Sequence, residues 1–142
     1  AHYFREEWKK PDLVSPQMTE IIIRGNSIST DQYQKALAEQ ENIALLMDRF
    51  FLDFDILISL STAGEAPLRD DPEPPDSALI WNTAHLPVIG APAFVSPNGL
   101  PFGVQLVARK YNDLLLIKFA SYLYLSEMIP EGPNPPVCSP SI

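Results

Sequence analysis

The sequence predicts an α/β fold, and three observations carry that expectation. A capping signature opens a helical stripe over residues 29–51, a short β-branched apolar run follows at 55–60, and two more strand-like runs flank an Asn-Gly turn before a final apolar helix. At 142 residues the chain is the size of one domain and long enough to bury about two thirds of its unfolded surface.

Each element has a local reason. Ser29 with Gln32 three positions on forms a capping box, Asp31 sits in the first turn where a carboxylate favours the helix dipole, and Tyr33, Ala36, Leu37, Ala44, Met47, Phe50 and Phe51 recur at helical spacing. The result is an amphipathic helix of about five turns. Asp55-Ile56-Leu57-Ile58-Ser59-Leu60 reads as a strand buried on both faces. The loop at 61–77 carries Pro67, Pro72, Pro74 and Pro75 beside Asp70, Asp71, Glu73 and Asp76, which removes ladder donors and leaves no apolar periodicity. A helical turn or two is expected around Leu79–Ala84. Ala91–Val95 and Phe102–Ala108 read as a β-hairpin across Pro97-Asn98-Gly99, where Asn-Gly offers the positive φ of a tight turn. Asn112 or Asp113 caps a last helix reaching about Met128, apolar on most sides and so buried against a sheet. That helix offers roughly 16 residues, interrupted by Lys118 and Ser121, against the about 20 a membrane span needs.

Composition narrows the partners. Eighteen acidic against ten basic residues give a net charge of −8, which argues against nucleic acid and anionic membranes. A single cysteine, Cys138, excludes an intramolecular disulfide and a Cys-based zinc site and suggests a reducing, cytoplasmic setting. His2-Tyr3-Phe4-Arg5-Glu6-Glu7 is charged and unlike a signal peptide, and a chain that starts at Ala1 suggests a piece of something longer. The 15 prolines, about twice the usual share, cluster in loops and in the stretch 130–142, which reads as an extended or disordered tail after a folded segment at 1–129.

The strings Asn82-x-x-x-Leu86-Pro87, Gly99-Leu100-Pro101-Phe102-Gly103-Val104-Gln105-Leu106-Val107 and Asp113-Leu114-Leu115 together resemble the closing segment of the amidase signature family of amide hydrolases. More weakly, Asp53-x-Asp55-Ile56-Leu57, Thr62-Ala63-Gly64-Glu65-Ala66-Pro67, and Asp31-Gln32-Tyr33 with Ala36 extend the resemblance, so that it covers roughly residues 20–125. The chain departs from the family at three glycines, with His85, Phe94 and Ala108 in their places. The resemblance implies part of a mixed β-sheet flanked by helices. It also implies cleavage of a small-molecule carboxamide through an acyl-serine intermediate, with no cofactor and no metal. The family's nucleophile is a serine activated through a second serine, held by a cis peptide, and a lysine, in a Gly/Ser-rich signature upstream of this region. No Gly-Gly-Ser-Ser string occurs here, so the expectation is a C-terminal amidase segment with no catalytic residue of its own.

Among candidate site residues, Thr62, Ala63 and Gly64 stand out, because the loop they open leaves the carboxyl end of an apolar strand, where ligands of α/β sheets bind. The family resemblance implies a wall of the acyl or amine pocket there. Other constellations are weaker. Ser59, Ser61 and His85 lack a Gly-x-Ser-x-Gly elbow, and His2 with His85 lacks metal-ligand spacing. The acidic run at 70–76 reads as a solvated loop rather than a cation site, Cys138 as an unactivated thiol, and Trp81 and Phe102 as core.

Three classes of function follow: the C-terminal part of an amidase completed by its upstream part, a non-catalytic remnant that binds a small amide or a protein, or a fragment that simply self-associates. A cut sheet edge and apolar helix face predict a homo-oligomer.

Overall fold

A computed structural model describes residues 2–72 and 77–129. The tail at 130–142 with Cys138, and Glu73–Asp76 of the acidic loop, lie outside the described residues. The chain divides into two units, residues 1–42 and 43–142.

The first unit opens with three short 3-10 turns, His2–Phe4, Glu7–Lys9 and Pro11–Leu13, followed by α1 (Pro16–Ser27). Ser15 Oγ accepts from the Met18 amide at 3.2 Å and Pro16 occupies the first helical position, where its missing N–H would have had no partner anyway. Ile22 is its buried residue. α2 (Thr30–Phe50) starts in this unit and ends in the next. The capping box is reciprocal as expected: Gln32 Oε1 accepts from the Ser29 amide at 2.8 Å, and Ser29 Oγ accepts from the Gln32 amide at 3.2 Å.

The second unit is built on an antiparallel sheet of β1 (Ile56–Leu60), β2 (Val88–Val95) and β3 (Pro101–Ala108) in the order β1-β3-β2. α3 (Leu79–Thr83) precedes β2, and α4 (Asp113–Leu125) follows β3. The α/β class is as expected, and among the described residues the sheet is antiparallel throughout. Pairing runs Ile56 to Ala108 across the first ladder and Val88 to Val107 across the second, with an irregularity between Pro92 and Phe94. Successive side chains of β3 point to opposite faces, which splits the core in two. Leu106 and Ala108 pack with Leu116, flanked by Phe119, Ala120 and Leu123 of α4; Val107 packs with Phe51, Ala84 and Leu86, flanked by Met47, Leu57 and Trp81.

Four expectations shift. β1 is not buried on both faces: on the face shared by Ile56, Ile58 and Leu60, Ile56 packs against the cluster of Leu106, Ala108 and Leu116, while Ile58 is 55% and Leu60 53% exposed. α4 buries one stripe, with Leu114 at 75% and Leu125 at 78% exposed, and it ends at Leu125, short of Met128, where Glu127 turns left-handed. β2 begins three residues earlier than its periodicity suggests. In the hairpin only Gly99 has positive φ (81°); the Gly99 amide donates to Ser96 O and the Ser96 amide to Leu100 O, each at 2.9 Å, which is a three-residue loop closed by a left-handed glycine. Gly103 has a separate need for glycine, because a Cβ there would overlap the carbonyl oxygen of Ala91 across the ladder.

Candidate active-site segment

β1 ends against β3 through Ser61. The Ser61 amide and hydroxyl both donate to Gly103 O, at 2.9 and 2.8 Å, so the chain is still held to the sheet as it turns into the Thr62–Pro67 loop. Thr62 Oγ1 donates to Gly64 O at 2.5 Å, closing a tight turn in which Thr62 and Ala63 are exposed and Gly64 half-buried. A Cβ built on Gly64 meets nothing within 4 Å, so that residue faces open space.

Glu65 then ties the loop to the hairpin tip, its Oε1 accepting from Asn98 Nδ2 at 2.6 Å. The Ser96 hydroxyl, and the Asn98 amide after it, hold the Glu65 carboxyl below the usual carboxylate range by favouring its charged form. Beside this junction Ser61, Gly90, Ala91, Pro92, Phe102 and Gly103 line a hollow of about 260 Å³. The three expected residues Thr62, Ala63 and Gly64 share one turn just past the carboxyl end of β1; their neighbour Ser61 lines the hollow, and they themselves do not.

A second hollow of about 420 Å³ lies between α3 and α4, lined by Asn82, His85, Leu86, Pro87, Tyr111 and Asp113. Two of these, His85 (φ 56°) and Tyr111 (φ 69°), hold left-handed backbone without being glycine. Ser59 and Ser61 do not join His85 in a hydrolytic pair: Ser59 Oγ donates to Leu60 O and Ser61 Oγ to Gly103 O, while His85 is exposed in this second hollow. Among the described residues no group of three His, Cys, Asp or Glu is placed to hold a metal ion, and no helix is long and apolar enough to cross a membrane.

One polar residue beyond those expected lies at this strand end. Gln105, on the β3 face shared with Gly103 and Val107, is 6% exposed, and its Nε2 donates to Ser61 O at 3.3 Å and to Ser77 Oγ at 3.5 Å. A glutamine inside an otherwise apolar string was the available signal, since a buried carboxamide must find partners. Trp81, read as core, packs beside Val107; Phe102 is half-buried, its ring tilted by 31° against that of Phe94 with centroids 5.2 Å apart.

The fold of this chain is shared with solved amidase structures. The crystal structure of an amidase superposes with a TM-score of 0.76 at 19% identity, over 87% of this chain and 31% of that one. The structure of 6-aminohexanoate cyclic dimer hydrolase gives a TM-score of 0.64 at 24% identity, over 80% of this chain and 28% of that one. An amidase family model matches residues 4–117, and the chain belongs to the amidase family. In sequence it is similar to a glutamyl-tRNA(Gln) amidotransferase subunit of Brachyspira hyodysenteriae (24% identity over 108 residues, 70% of this chain) and to human fatty-acid amide hydrolase 2 (30% over 99 residues, 67% of this chain). It spans 22% and 19% of the lengths of those two relatives.

Proposed function

We propose that this chain, over residues 1–129, is the C-terminal part of an amidase that hydrolyses a carboxamide C–N bond in a small-molecule substrate through an acyl-serine intermediate. The nucleophile and its activating groups lie outside these 142 residues. The observation that carries this reading is the family match over residues 4–117 in a chain spanning about a quarter or less of its curated relatives. Acyl transfer needs a nucleophile beside a base and preorganised donors for the oxyanion. The serines described at the sheet end donate their hydroxyls to backbone carbonyls instead. The names of the curated relatives share amide chemistry, which supports the reaction class and leaves the acyl and amine groups open.

In this reading Thr62, Ala63 and Gly64 form a wall of the substrate pocket. The enzyme is cytoplasmic and oligomeric, with the upstream part of the same protein as this segment's main partner. The test is Gly64→Leu in the enzyme that carries this chain. Because the added side chain enters open space, the fold is expected to survive while KM rises or substrate preference changes, as loss of uniform binding requires. Unchanged kinetics across several carboxamides, or an unfolded variant, would make the loop structural.

A further inference from the structure

We infer that Gln105 and Ser77 form a clasp that positions the Thr62–Gly64 turn, making Gln105 a positioning residue for substrate binding. The inference rests on the reading of that turn as a pocket wall.

The chain leaves β1 at Ser61 and is back beside the same strand end at Ser77. Ser77 Oγ lies 2.9 Å from Ser61 O and 3.1 Å from Leu60 O, within donating distance of both. Gln105 approaches the same two residues from β3: its Nε2 donates to Ser61 O at 3.3 Å and reaches Ser77 Oγ at 3.5 Å, the limit of hydrogen-bond range. Ser61 O thus accepts from both ends of the clasp, and the Ser61 hydroxyl fixes the same residue to Gly103 O. Thr62 follows directly, so a shift of the Ser61 carbonyl is passed to the peptide that begins the wall.

The orientation of the carboxamide is set by this chemistry. Its nitrogen faces a carbonyl that can only accept, whereas its Oε1 is buried without a hydrogen-bond partner. Reversing the amide would set two acceptors against each other. A buried carboxamide with one unsatisfied oxygen is unfavourable on its own account. Its presence on an otherwise apolar face is accounted for by the donor half, which no aliphatic residue of similar volume supplies.

The test uses the enzyme that carries this chain, with Gln105→Met, which keeps volume and removes the donor, Ser77→Ala, and Ser77→Thr, which restores a hydroxyl. Two quantities are read: tryptic cleavage at the exposed Arg69 under native conditions, followed by mass, and the separate KM and kcat for a series of carboxamides. The expected result is faster cutting at Arg69 with KM raised about two- to tenfold, the size of one lost neutral hydrogen bond, kcat changing less, and Ser77→Thr reversing both effects. Unchanged cleavage in Gln105→Met and Ser77→Ala overturns the clasp. Faster cleavage with unchanged KM, while Gly64→Leu does raise KM, overturns the positioning role and keeps the wall. If Gly64→Leu is also silent, the wall reading is the part that failed, and the positioning role falls with it.

Discussion

His85 holds a left-handed backbone at φ 56° at the position where the amidase resemblance has glycine. A Cβ in that region costs about 1–2 kcal/mol, while glycine loses about 0.5–1 kcal/mol through the greater freedom of its unfolded chain. His85→Gly should therefore raise stability by about 0.5–1 kcal/mol, read as a higher urea midpoint with an unchanged slope; a lower midpoint would mean that the imidazole makes a contact outweighing the strain. This departure from glycine was visible in the sequence, and so was the Ser29/Gln32 capping box, because both are local. The role of Gln105 was not visible: its partners Ser61 and Ser77 lie 44 and 28 residues away in sequence, and only the β3 register brings them together. Thr62, Ala63 and Gly64 could be singled out from their place after an apolar strand. Their link to the hairpin through Glu65 and Asn98 needed the fold.

At the scale of elements, the long helix, the presence of the first strand, the hairpin and the last helix follow from periodicity and turn chemistry, whereas the edge position of that strand and the helix α1 do not. Its signals were present in Ser15-Pro16 and the apolar Ile21-Ile22-Ile23 that follows, yet only one of those isoleucines is buried. Periodicity marks a side chain as suited to burial without saying what buries it. That is why β1 and α4 keep exposed apolar residues where burial was expected. The end of α2 is fixed to the end of β3 by a bidentate pair, Arg109 Nε and Nη2 donating to Asp48 Oδ1 and Oδ2 at 2.6 and 2.7 Å. The Arg109 guanidinium, first by these hydrogen bonds and then by its charge, holds the Asp48 carboxyl below its ordinary value of 3.8. A depressed folded-state pKa contributes stability above the unfolded pKa that is lost as pH falls through the folded one. Asp48→Asn should thus lower the urea midpoint near neutral pH and make little difference once pH is well below 3.8, and an equal deficit at both pH values would show that the ion pair is not the cause.

At the scale of the molecule, apolar surface on β1 and α4 lies open: Ile58 and Leu60 on the edge strand, Leu114, Ile117, Tyr122 and Leu125 on the helix. Open strand edges and apolar helix faces seek partners even on a chain of net charge −8, because the patch is local and the charge is spread. The isolated 142-residue chain should form dimers or larger species; a clean monomer at micromolar concentration by sedimentation, with no uptake of a hydrophobic dye, would mean these faces are tolerated as they stand. Assaying the purified 142-residue chain against a panel of carboxamides and esters tests the proposal that this is an amidase segment whose chemistry is supplied from outside it. No hydrolysis above the uncatalysed rate is expected, since the hydroxyls of Ser59 and Ser61 are donated to backbone carbonyls rather than to an activating base. Turnover that disappears in Ser59→Ala or Ser61→Ala would contradict it.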